Sequence, residues 1–283
     1  HGHIQWICMP DRPAANGNLP TSKRSATLGL AAVFITYFAT VFFFRGVGVV
    51  QPKVAADLNG MALFSWAISM PALAASFATL LFGKLSDAYG RRILLLVSLG
   101  LYIAGAILSA VSRQFTFFIA ARMILSLGQG ALASLCFAAL GDLYEPVQRS
   151  RWSGLLQIPA GIAAIIGPAL VGMITDELNW RYFFGLTALL AAIAFILVAG
   201  GVASSAKRVA HKIDFLGSFL LAATLAVMIV AFSWAGSAYP WFSPRILGML
   251  AVSAVLWILL IRVERRAEEP ILAPEVMTNR TFL

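Results

Sequence analysis

Gly83-Lys84-Leu85-Ser86-Asp87-Ala88-Tyr89-Gly90-Arg91-Arg92 is a ten-residue hydrophilic loop between two apolar runs, Met61–Phe82 and Ile93–Ser112. Each run is long enough to cross a bilayer, which takes about 20 helical residues. Working outward from the loop gives six more: Thr27–Val50, Phe115–Leu140, Ser153–Thr175, Phe183–Val202, Phe215–Ala235 and Ile246–Val263. Lipid offers no partner for free backbone N–H and C=O groups, so every span is expected to be a helix. The short alternating segments of a β-barrel are absent from the sequence. The predicted class is an all-α polytopic membrane protein with eight spans.

Composition agrees. Hydrophobic residues make up 60% of the chain and charged residues 12%, whereas a soluble domain carries roughly twice that charged share. The net charge of +9 is unevenly spread. The terminal tails and alternate loops hold Arg12, Lys23, Arg24, Lys84, Arg91, Arg92, Arg149, Arg151, Lys207, Arg208, Lys212, Arg262, Arg265, Arg266 and Arg280. The opposite loops hold only Lys53, Arg113, Arg181 and Arg245. This asymmetry is the positive-inside pattern, so a cell-membrane protein with both termini in the cytoplasm is expected. The basic excess is then a topology signal and calls for no nucleic-acid partner.

Cys8 and Cys136 are the only cysteines, and no metal-ligand spacing accompanies them or His1, His3 and His211. No nucleophile–base pair, phosphate-cradling glycine loop or metal cluster is visible. No cofactor, metal or enzyme activity is expected. The first residue is His and Met9 stands ahead of Pro10-Asp11-Arg12-Pro13, while the far end, Asn279-Arg280-Thr281-Phe282-Leu283, lacks a closing element. Both ends are therefore expected to be incomplete. The expected organisation is a cytoplasmic tail (1–26), a six-span bundle (27–202), a basic cytoplasmic loop (203–214), a final pair of spans (215–263) and a cytoplasmic segment (264–283).

Few polar residues enter the spans. Arg122 lies seven residues into the fourth span, about 10 Å along a helix. Ser126 and Gln129 follow at i+4 and i+7 and form a polar stripe with it. Two roles fit Arg122: a structural hydrogen bond to a carbonyl or Gln of a neighbouring helix, or a functional charge in a water-filled cavity. Arg45, nearer the end of the first span, is expected to snorkel to the interface. Ala160, Ala164, Pro168 and Gly172 line up at four-residue spacing and predict a close helix contact, as packing or as a pivot. Gly167-Pro168 predicts a kink. Trp180 and Trp241 fit interfacial belts. Phe42, Phe43 and Phe44 fit lipid or core contacts better than a ligand pocket. Asp142 is expected to pair with Arg149 or Arg151, and Gln157 to bond a neighbour. In the 83–92 loop, Gly83 and Gly90 allow tight turns at helix ends, and Asp87 can pair with Arg91 or Arg92.

The Gly-x-Leu-x-Asp-x-x-Gly-Arg-Arg spacing of residues 83–92 resembles the signature between the second and third spans of the major facilitator superfamily. Arg122 with Gly128 and Gly130 resembles its fourth-span motif, and Gly167-Pro168-Ala169-Leu170-Val171-Gly172 its fifth-span antiporter motif. Asn179-Trp180-Arg181-Tyr182-Phe183-Phe184 looks like the usual entry to the sixth span. Ile213-Asp214-Phe215-Leu216-Gly217 and Arg262-Val263-Glu264-Arg265-Arg266 with Glu269-Pro270 are similar to the linker-pair borders of fourteen-span drug/proton antiporters. The resemblance implies an N-terminal bundle of two three-helix repeats and two linker spans, with a C-terminal bundle missing from this chain. It also implies a cytoplasmic gate at Gly83, Asp87, Gly90, Arg91 and Arg92, and a cavity where Arg45 and Arg122 converge. The implied function is proton-coupled efflux of a small molecule, such as a lipophilic drug, with this half inactive alone; the alternative is a truncated fragment or a half that acts only with a partner chain. Four positions depart from the family pattern. Leu125-Ser126 replaces Gln-Gly, Val171 replaces Gly, and Phe43 stands where an Asp is usual in the first span. No Asp or Glu lies deep in any of the eight spans.

Overall fold

The computed structural model describes residues 23–143, 146–202, 215–236 and 239–264. Nine helices follow one another among them: α1 (Lys23–Asp57), α2 (Phe64–Tyr89), α3 (Arg91–Ala110), α4 (Phe115–Leu143), α5 (Pro146–Leu155), α6 (Gln157–Met173), α7 (Trp180–Gly201), α8 (Phe215–Trp234) and α9 (Pro244–Glu264). A π-helical turn, Ile174–Leu178, extends α6. Seven segments are long and apolar enough to cross a membrane, one of them the α5–α6 run over Ser150–Leu178. The remaining expected span is α8, with 20 residues, or about 30 Å at helical rise. The chain is a multi-pass membrane protein.

The hydrophilic stretch that was expected to be a loop is mostly helix. α2 continues through Gly83 to Tyr89, and α3 begins at Arg91. Gly90 alone makes the break, at φ 93° and ψ 142°, a backbone conformation that costs an L side chain dearly. Gly83 therefore serves no turn; a Cβ there would meet nothing within 4 Å. The first span is also longer than expected. α1 passes Pro52 and ends at Asp57 rather than Val50. Its end is held from outside the helix: Lys53 donates to Thr175 O and lies 3.3 Å from the Asp176 carboxylate. Trp180 Nε1 donates to Asp57 Oδ2 at 3.0 Å. That bond explains why Trp180 is fully buried instead of sitting in an interfacial belt. Trp241 is half exposed, as a belt residue would be.

Packing follows a two-fold pattern. α1 packs on α6 and α7, and α4 packs on α2 and α3; the central contacts are α1 with α4 and α3 with α7. Exchanging α1 with α4, α2 with α6 and α3 with α7 maps this set of pairs onto itself, as two three-helix repeats require. Glycine makes the α4 contacts possible. A Cβ on Gly130 would sit 2.2 Å from Ala75 O, and one on Gly128 2.3 Å from Ser98 O. On α3, a Cβ on Gly105 would sit 2.2 Å from Leu125 N. Helices in lipid associate through such close backbone approach, because apolar burial alone gains little there.

The small-residue face of α6 is rotated from the one expected. Its buried residues are Ala160, Ala163, Gly167 and Val171. A Cβ on Gly167 would make ordinary contact with Phe42 and Arg45 of α1, whereas one on Gly172 would meet nothing within 4 Å. The four-residue stripe drifts around the helix, while the observed 3-4-4 spacing tracks 3.6 residues per turn. Pro168 lies within α6, which runs through to Met173.

α8 and α9 pack on each other, and α8 packs on α2, outside the six-span bundle. The seam is specific. Ser69 and Ser233 hydroxyls lie 2.6 Å apart, and the Trp66 and Trp234 rings meet edge to face at 4.7 Å.

Candidate functional site

Three helices each give one stripe of side chains to a cavity of about 630 Å³. α1 contributes Thr40, Phe44, Val47 and Gln51, at i, i+4, i+7 and i+11. α2 contributes Phe64, Ile68, Ala72, Ala75 and Thr79 along its own face, and α4 contributes Arg122, Ser126, Gln129 and Ala133. The polar stripe read from the sequence of α4 therefore faces one cavity. No Asp or Glu is among the described residues lining it.

Arg122 is 5% exposed. Its Nε and Nη1 have no hydrogen-bond partner among the described residues, so the structural bond to a carbonyl or Gln does not account for them. Gln129, on the same stripe of α4, donates to Thr40 O of α1 at 3.2 Å. Aromatic faces surround the guanidinium. Its carbon lies 5.2 Å from the Phe43 ring centroid and 5.9 Å from that of Phe118, within the range of cation–π attraction. Phe43 in turn meets Tyr102 edge to face at 5.7 Å and stacks on Phe183 at 5.6 Å. The Tyr102 hydroxyl donates to Ala39 O. The place where the family pattern has an Asp is thus part of an aromatic core. Phe43 and Phe44 both line the cavity, so the triplet is more than lipid and core contact.

Arg45 does not join Arg122. It is exposed, lines no part of the cavity, and lies on the side of α1 that faces Gly167 of α6. The reason is helical phase: Arg45 falls about 120° around α1 from the centre of the cavity-facing stripe. Its exposure fits the snorkelling expectation. Arg92, at the start of α3, donates to Ala199 O near the end of α7. One cation of the signature thus ties two helices of this bundle together. The side chains of Asp87, Asp142 and Arg149 lie outside the described residues, as do His1, His3, Cys8 and His211. Gln157 is exposed. Cys136 is buried and free.

Two cavity residues escape a reading by local pattern. Gln51 precedes Pro52 and looks like the end of a span, yet it is 6% exposed and its amide nitrogen has no partner among the described residues. Thr79 is one of several hydroxyl residues in α2; its Oγ1 lies 2.6 Å from Gly130 O and 2.8 Å from Ala75 O, in position to donate to either. The i+11 spacing from Thr40 to Gln51 was the available signal for the first.

The chain is similar to known proteins. The multidrug transporter protein MdtP of Bacillus subtilis (strain 168) is 31% identical over 261 residues, covering 92% of this chain and 48% of that protein. Multidrug resistance protein 3 of the same organism is 30% identical over 236 residues, covering 83% of this chain and 46% of that protein. The chain spans about half the length of the curated relatives it matches. Among solved structures, the peptide transporter POT in complex with sulfate superposes with a TM-score of 0.62 at 19% identity, over 85% of this chain and 53% of that one. The proton:xylose symporter XylE bound to 6-bromo-6-deoxy-D-glucose gives 0.56 at 12% identity, over 90% and 56%. These likenesses show the fold. The family model of the Major Facilitator Superfamily matches residues 33–261, and with that span, the paired three-helix repeats and the signature at Gly90, the chain belongs to this superfamily.

Proposed function

We propose that this chain is the N-terminal bundle and linker pair of a secondary transporter that exports lipophilic small molecules across the cell membrane, with both termini in the cytoplasm. The observation that carries it is the cavity: largely apolar stripes from α1 and α2 face the Arg122, Ser126 and Gln129 stripe of α4 in a protein whose relatives are named multidrug transporters. A pocket of apolar walls with a few polar groups suits drug-sized ligands. The cavity residues lie within the spans, and transporters of this build bind substrate near the midplane between two halves. Proton exchange belongs to this reading as well. No carboxylate lines the cavity among the described residues, so this reading assigns the proton-carrying group to the second half. The gate of the reading is the signature around Gly90, with Asp87 latching against that half.

The test is dye efflux from proteoliposomes under a proton gradient. It compares a polypeptide of the relatives' length carrying this chain as its first half with residues 1–283 alone. Ethidium, Nile red and an anionic oxonol sample the charge types. The longer polypeptide is expected to export at least one of them, with the gradient collapsing in step, and the chain alone to export none. Saturable, gradient-driven export by residues 1–283 would replace this reading with a functional homodimer. Absence of export from the longer polypeptide would end it.

A further inference from the structure

The transport reading leaves the substrate class open, and the cavity narrows it. Every described side chain lining the cavity is neutral except Arg122, which is cationic. That charge is nine-tenths buried and uncompensated: no carboxylate approaches it among the described residues, and two of its nitrogens have no acceptor. The cavity holds a second orphan, the amide nitrogen of Gln51. The unpaired polar atoms of the described residues lining this cavity are therefore N–H groups, those of Arg122 charged. Phe44 and Phe64 supply an apolar wall from α1 and α2.

A buried cation with no counter-charge is costly in a membrane interior, and buried donors are normally satisfied. A ligand that brings acceptors and a negative charge removes both costs. A cationic ligand adds a like charge at the same place. We propose that this cavity takes an amphipathic organic anion, an aromatic or aliphatic carboxylate whose head pairs with Arg122 and whose body packs on Phe44 and Phe64. The assignment rests on the transport reading of the same cavity and fixes the charge of what is carried.

Three probes of equal shape test it on the purified 283-residue chain in neutral detergent: 1-naphthoate, 1-naphthamide and 1-naphthylmethylammonium, titrated calorimetrically. Naphthoate is expected to bind at least tenfold tighter than naphthamide, and the ammonium more weakly still. Arg122→Gln should bring naphthoate down to the level of naphthamide, and Arg122→Lys should restore part of the difference. The order of the three probes on the unmodified chain decides the matter even where a variant fails to fold. Equal affinities, or preference for the ammonium, overturn the anion assignment and leave the transport reading standing. Failure of all three to bind also overturns the anion assignment, and the transport reading is then decided by the efflux test.

Discussion

Gly83, Gly90 and Gly130 all belong to the family's signatures, and their surroundings give them different work. At Gly130 an added methyl meets the Ala75 carbonyl at 2.2 Å, a backbone atom that cannot step aside. Gly130→Ala is expected to cost about 1–3 kcal/mol, the range for overpacking a close contact. At Gly90 the penalty is conformational, because φ is 93°; Gly90→Ala should cost roughly 1–2 kcal/mol. Gly83 is helical with open space around it, so Gly83→Ala should be neutral or stabilise by up to about 1 kcal/mol. Thermal unfolding in detergent ranks the three, and a Gly130→Ala protein as stable as its parent would refute the close approach. Arg122 has a different sign. Replacing an uncompensated buried charge with an apolar side chain of similar length is often stabilising. Arg122→Met is expected to raise the melting temperature while losing the preference for naphthoate. A drop in both would mean that the guanidinium holds the bundle together.

The α2–α8 seam is the junction that joins the bundle to the pair behind it. With the Ser69 and Ser233 hydroxyls 2.6 Å apart, a Ser69→Cys/Ser233→Cys chain in which Cys8 and Cys136 are replaced should close an intramolecular disulfide under mild oxidation, seen as a shift in gel mobility before and after reduction. Recovery of free thiols only would place α8 elsewhere. Sequence could not foresee this seam. Hydropathy marks a helix as apolar but not which apolar neighbour it chooses, because lipid and protein are alike to Leu and Val. It located the helices for the same reason, since a run of about 20 apolar residues admits one structure in a bilayer. The polar stripe of α4 was legible too, because Arg122, Ser126 and Gln129 are rare there and their spacing gives their phase. The convergence of Arg45 with Arg122 that the resemblance implied does not occur, because the two belong to different faces and a residue's charge does not fix its phase. The extension of α1 past Pro52 was hidden by the usual rule that proline ends helices; Lys53 and Asp57 override it with partners far along the chain.

At the scale of the molecule, charge asymmetry predicts which end faces the cytoplasm. Tyr89, beside Gly90, and Val111, at the opposite end of α3, are both well exposed. In a background lacking Cys8 and Cys136, a membrane-impermeant thiol reagent should label Val111→Cys in intact cells and Tyr89→Cys only after permeabilisation. The reverse pattern would invert the topology. The one-residue break at Gly90 also bears on biosynthesis. α2 and α3 leave the ribosome back to back, yet each finds its main partner in α4, which is still unmade. The surfaces awaiting Gly130, Gly128 and Leu125 stay bare until α4 is synthesised. The first repeat therefore cannot cover these faces in the order it is translated: the helix that fills them opens the second repeat and packs against neighbours already in the membrane, and the absent methyls of its glycines are the clearance that lets it in.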